Sequence, residues 1–150
     1  MPNQMDVKYI AGFFDGDGHA SISWSGSASL KLEVGFCNNY RPILEEIRCY
    51  FHNYGKIYFI KPKLRRQKES FRYKIWRMRE VKEILEEMLP YLRIKKRQAE
   101  LILEFINLRL AHGYIRTPYT SSELEIFAQL QNEHKKLGGE RIYGRKCGRK

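Results

Sequence analysis

The spacing of apolar residues changes several times along this chain, and each change marks an element. Residues 6–16 (Asp-Val-Lys-Tyr-Ile-Ala-Gly-Phe-Phe-Asp-Gly) predict a short apolar helix, with Asp6 as its N-cap and Gly16 or Gly18 at its end. A period of two follows. Ala20, Ile22 and Trp24 alternate with His19, Ser21, Ser23 and Ser25; after Gly26, Leu30, Leu32, Val34 and Phe36 alternate with Lys31, Glu33 and Gly35. Two such runs around a turn predict a β-hairpin. Residues 41–53 return to helical spacing, with Ile43, Leu44, Ile47, Tyr50 and Phe51 on one stripe, Asn39 as a candidate cap, Pro42 tolerated near the start and Gly55 closing the segment.

The second half repeats the order without repeating the sequence. Strands are expected over Lys56–Ile60 and Phe71–Trp76, joined by a basic loop, residues 61–70, that carries Arg65 and Arg66. A helix over 80–89 should stop at Pro90. A longer one over 95–112 carries Ala99, Ile102, Leu103, Ile106 and Leu110 and ends at Gly113. Ser122-Glu123-Leu124-Glu125 has a capping-box pattern for a last helix to about Leu137, closed by Gly138 and Gly139. Residues 1–140 are expected to form the domain, and 141–150 a basic, mobile tail. The order α-β-β-α-β-β-α-α-α predicts an α+β fold: four antiparallel strands with the helices grouped on one face.

Composition narrows the function. With 150 residues, 43% hydrophobic and 30% charged, the chain can close a core and is not of disordered composition. Its 28 Lys and Arg against 17 Asp and Glu give a net charge of +11, which points to a polyanion, nucleic acid before an anionic membrane surface. No apolar run is long enough to span a bilayer, and the N-terminus does not read as a signal peptide. Cys37, Cys49 and Cys147 are odd in number and lack CxxC spacing, so a disulfide scaffold and a cysteine zinc site are both disfavoured. They favour an intracellular, reducing compartment, cytoplasm or organelle matrix.

The strand pattern sends one set of side chains outward: Ser21, Ser23, Ser25, Ser29, Lys31, Glu33, Tyr58, Ile60, Ser70, Arg72, Lys74 and Trp76. Hydroxyls, cations and aromatics together suit base edges and phosphates, although any solvated sheet face carries some of them. Asp15-Gly16-Asp17-Gly18 adds carboxylates to a helix C-terminus whose carbonyls are unpaired, a hard-oxygen site suited to Mg²⁺ that phosphate and water complete. A calcium loop beginning at Asp15 would need Glu at its twelfth position, where Gly26 stands. Gly12 and Gly16, four apart with Ala11 beside them, allow two helix backbones to approach closely.

Tyr9-Ile-Ala-Gly-Phe-Phe-Asp-Gly-Asp-Gly18 resembles the LAGLIDADG motif of homing endonucleases. Leu89-Pro-Tyr-Leu-Arg-Ile-Lys-Lys-Arg-Gln-Ala99 is similar to the family's segment after the second hairpin, and the likeness covers roughly residues 6–110. The motif occurs once, as in the family's homodimeric members. The resemblance implies a homodimer packed through Ala11, Gly12, Asp15 and Gly16, with both copies of Asp17 at the axis. The two sheets would form a saddle over a long, near-palindromic DNA target.

The resemblance also implies roles. Asp17 would be the catalytic, metal-binding carboxylate, and Gly16 would offer its carbonyl to the same ion. Asp15 would hold the helix end or an internal hydrogen bond. Lys95 matches the active-site lysine. Asn38 stands where a water-positioning Gln is common, one methylene shorter. Arg41 would serve a phosphate or solvent network, and His19 a DNA contact. The implied reaction is hydrolysis of one phosphodiester per strand with Mg²⁺ or Mn²⁺, leaving short 3′ overhangs, while Ca²⁺ supports binding without cleavage. RNA maturation, with intron RNA as partner, and non-catalytic DNA binding are the alternatives on this fold.

Overall fold

The computed structural model describes residues 4–26, 29–113 and 118–143, with side chains as far as Leu137. Helix α1 (Val7–Asp17) begins at Asp6, whose Oδ1 accepts the Tyr9 N–H at 2.9 Å. Strands β1 (Gly18–Ser25) and β2 (Ser29–Asn38) form the first hairpin, with Ser25 opposite Ser29. Helix α2 (Arg41–Tyr50), strands β3 (Lys56–Ile60) and β4 (Ser70–Ile75), and α3 (Met78–Met88) follow. A single 3₁₀ turn over Leu89–Tyr91 contains Pro90, and α4 (Lys96–Ala111) and α5 (Ser121–Tyr143) complete the order.

The four strands form one antiparallel sheet in the order β1-β2-β4-β3. Ala20, Ile22, Leu32, Val34, Phe36, Tyr73 and Ile75 turn to one side and are buried against the helices. This is the α+β layer arrangement that the alternation predicts. Gly55 is needed at the start of the second hairpin: its φ is +66°, and a Cβ there would collide with the Lys74 carbonyl oxygen.

Several local expectations are corrected. Trp24, expected in the core, is 48% exposed, because at the hairpin tip it has run past the main layer and meets Tyr119 and Phe127 edge-on instead. Asn39 does not cap α2, whose N-cap is Tyr40 with no side-chain cap bond; Asn38 Oδ1 accepts the Tyr40 N–H at 2.8 Å in the turn before the helix. The cap of α5 is Thr120, whose hydroxyl accepts the Glu123 N–H, so the box begins two residues earlier than Ser122. Helix α5 runs through Gly138 and Gly139 to Tyr143, past the expected boundary; residues 144–150 of the expected tail lie outside the described residues. Helix α4 is buried on more than its expected stripe, through Leu101 and Phe105 as well as Ala99 and Ile102, since α5 covers a further side of it. No helix among the described residues is long and apolar enough to cross a membrane.

Candidate nucleic-acid interface and cleavage site

The end of α1 is tied to the start of α4 by a reciprocal clamp. The Asp15 carboxylate accepts the backbone N–H of Arg93 at 2.8 Å and of Lys95 at 3.0 Å. In return Lys95 Nζ donates to the Phe14 carbonyl at 2.9 Å and to the Gly18 carbonyl. The cation thereby meets the negative end of the helix, where unpaired carbonyls collect. Burial pushes the Lys95 pKa down, against the upward pull of Asp15 and Asp17.

The clamp leaves Asp17 exposed at the tip of α1, and one of its oxygens, Oδ2, accepts the Asn38 Nδ2–H at 3.3 Å. Asn38 therefore spans the two ends of the β1–β2 hairpin's base and reaches Asp17 despite being shorter than Gln. Lys95, Asn38, Gly16 and Asp17 are brought together here. Arg41 is directed elsewhere: its Nε donates to Glu45 at 2.9 Å, and its guanidinium lies over the Phe71 ring. Among the described residues no three His, Cys, Asp or Glu side chains cluster as a self-sufficient metal site. One exposed carboxylate beside main-chain carbonyls is the donor set of a half-site, which fits a divalent ion only if a second chain and a phosphate supply the remainder.

Helix α1 also has an open side. A Cβ on Gly12 or on Gly16 would meet nothing within 4 Å, and Tyr9 is half exposed beside them. Ala11, expected on this interface, is fully buried in the chain's own core. Asp15, assigned to the same interface, spends both oxygens on the clamp. The open surface is therefore Gly12 and Gly16, framed by Lys8 and Tyr9.

The outer sheet face begins two residues after Asp17. The ladder sets Ser21 opposite Glu33, Ser23 opposite Lys31 and Ser25 opposite Ser29; in the other half, Tyr58 stands opposite Arg72 and Ile60 opposite Ser70. Lys74 lies between Gly35 and Lys56, and Trp76 follows the strand end, exposed. All twelve residues expected on this face share it. Sequence reasoning missed Lys56, which the period of two already assigned to this face within its expected strand, and Cys37, which joins it because β2 runs on to Asn38. Ser23, Lys31, Glu33, Tyr58, Lys74 and Trp76 line an open groove along the face. Arg65 and Arg66 project from the exposed β3–β4 loop, and Arg66 borders a hollow with Lys61, Lys63 and Lys68. The arrangement offers a continuous donor-rich surface ending at a carboxylate.

Residues 10–112 match the family model described as LAGLIDADG endonuclease. No curated protein matches the chain. Among solved structures, an archaeal intron-encoded homing endonuclease, I-Vdi141I, complexed with DNA, is 19% identical with a TM-score of 0.64; the match covers 85% of this chain and 82% of that one. The homing endonuclease I-CvuI, bound to its target in the presence of Ca, is 20% identical with a TM-score of 0.55, covering 90% of this chain and 96% of that one. The LAGLIDADG homing endonuclease I-GzeII, in complex with its DNA target, is 16% identical with a TM-score of 0.64, and here the match covers 94% of this chain but 50% of its neighbour. The chain thus spans about half the length of some of these relatives and nearly all of others.

Proposed function

Since the chain belongs to the LAGLIDADG endonuclease family, we propose that it is a site-specific double-strand DNA endonuclease of the homing type. It works as a homodimer on a long, near-palindromic target, in a reducing intracellular compartment. One observation carries this reading: Asp17 stands exposed at the end of a helix whose Gly12–Gly16 side is open, two residues before the donor-rich sheet face begins. Packing two α1 helices through that side brings two half-sites together and aligns two sheets, which a palindromic duplex matches by symmetry.

Asp17 and the Gly16 carbonyl of each subunit are the groups that would hold Mg²⁺ or Mn²⁺; such an ion supplies Lewis-acid charge at the scissile phosphate. Ca²⁺ would support binding alone, and I-SmaMI has been seen bound to uncleaved DNA in the presence of calcium. Asn38 holds one Asp17 oxygen and leaves the other to the ligand. Lys95 spends two of its three N–H donors on the Phe14 and Gly18 carbonyls and keeps one for a phosphate oxygen or a water. Each subunit acts on one strand, and short 3′ overhangs result.

The test is incubation with a library of long duplexes in Mg²⁺, sequencing of the cut ends, and sedimentation of the free protein. Paired cuts at one sequence, with a dimer in solution, are expected. A stable monomer would remove the two-fold arrangement, and the absence of any cut would remove the nuclease assignment.

A further inference from the structure

Gly35 sits inside β2, a strand paired on both edges, where a glycine weakens a sheet. Its neighbour across the ladder is His19, and a Cβ on Gly35 would run into the His19 ring. The imidazole thus lies across the outer face, over the missing side chain. His19 Nε2 is 2.8 Å from Glu33 Oε2, and Lys74 Nζ is 2.9 Å from Glu33 Oε1. An ionised carboxylate only accepts, so the His19 proton is on Nε2. Lys74 is the partner of Gly35 on the other edge of β2, so three strands converge on one carboxylate.

Burial holds the His19 pKa below its ordinary 6.5 despite the upward pull of Glu33. Burial raises that of Glu33, but hydrogen bonds from Lys74 and His19 outweigh it and leave the pKa lowered.

All three remain within reach of a ligand, with side chains 34%, 29% and 31% exposed for His19, Glu33 and Lys74. Each Glu33 oxygen has spent one lone pair, and Lys74 has two N–H donors left. In the DNA major groove, guanine presents two adjacent acceptors, O6 and N7, and its cytosine presents the N4 donor beside them. An ammonium with two free donors next to a carboxylate matches that order. An adenine–thymine pair places its donor between two acceptors, so an ammonium finds one acceptor on either side and not two together.

We propose that Glu33 and Lys74, held in place by His19 over Gly35, are a specificity-determining pair that selects guanine–cytosine at one position of each half-site. The proposal rests on the outer face being the DNA surface. Lys74 donates to guanine O6 and N7, and Glu33 accepts from cytosine N4. His19 is the positioning residue, and Gly35 is the vacancy that lets its ring lie there.

The test is selection from a duplex pool randomised across both half-sites, in Ca²⁺, using the wild type, Lys74→Met, Glu33→Gln and Gly35→Ala. The wild type should favour guanine–cytosine at one symmetric position by about ten- to a hundredfold. Lys74→Met should flatten that position and leave the others unchanged. Glu33→Gln should shift it toward adenine–thymine, since a carboxamide pairs with adenine N6 and N7. Gly35→Ala, which displaces the ring, should weaken the same position; if that variant does not fold, the two exposed substitutions still decide the matter. Profiles unchanged at every position, or lowered equally at all of them, would overturn the proposal and leave the cluster a structural or purely electrostatic feature. A wild type that retains no duplex at all would instead overturn the reading of the face, and this proposal with it.

Discussion

Glu123 and Glu33 are both ion-paired carboxylates, yet they sit in opposite surroundings. Glu123 is fully buried between α4 and α5, 3.0 Å from Arg109, whose guanidinium also stacks over Tyr119 at 4.5 Å. Glu33 lies on the open sheet face, bonded to a lysine and a histidine that remain accessible. The first pair joins two helices and is closed to any ligand. The second joins three strands and stays open. Similar chemistry thus holds the fold in one place and is kept available in another, and solvent access is what separates the two uses.

Substitutions should divide along the same line. The largest effect is expected at the open end, where Asp17→Asn should abolish cleavage while leaving DNA binding in Ca²⁺ intact. Single-turnover cutting in Mg²⁺ at near the wild-type rate would sink the assignment. Next comes the closed pair: Glu123→Ala removes the carboxylate that neutralises a buried guanidinium and should cost about 3 kcal/mol in urea unfolding, with the target preference of the folded fraction unchanged. Arg72→Ala, on the open face, should do the reverse. It should lower DNA affinity by about 1–3 kcal/mol and move the unfolding free energy by no more than about 0.5 kcal/mol. A comparable loss in both measurements would mean that Arg72 supports the fold as much as it supports binding.

The smallest effect is a pH dependence. The folded pKa of His19 lies below 6.5 and that of Glu33 below its ordinary 4.5. In each window the unfolded chain binds more protons, so stability should fall on acidification, first below 6.5 through His19 and then below 4.5 through Glu33. Urea midpoints followed downward from neutral pH should show both steps in the wild type and lack the first in His19→Gln.

Much of this was legible in the sequence because a period of two assigns faces without knowledge of contacts. Ser21, Ser23, Ser25, Ser29, Arg72 and Lys74 fall on one side by counting alone. The places of Asp17 at the end of α1 and of Lys95 at the start of α4 were legible through the motif and the segment after Pro90. What counting could not supply was pairing across distance. That Asp15 is spent on the Arg93 and Lys95 amides, that Ala11 turns inward, and that His19 lies over Gly35 all depend on residues far apart in the chain. The cap of α5 was misplaced because Thr120 and Ser122 carry the same chemistry two residues apart, and only the observed backbone distinguishes them.

Strand β1 is at one margin of the sheet, and an unpaired strand margin invites another strand to join it. Here α5 lies along it: Gln131 Nε2 donates to the Ile22 carbonyl at 3.3 Å, and His134 Nε2 stands 2.8 Å from the Ala20 carbonyl. Side chains occupy the acceptors that a foreign strand would seek, so sheet growth from this margin is blocked before a second copy arrives. Helix α5 thus stands where a fifth strand would pair beside β1, while β3 forms the other margin of the sheet.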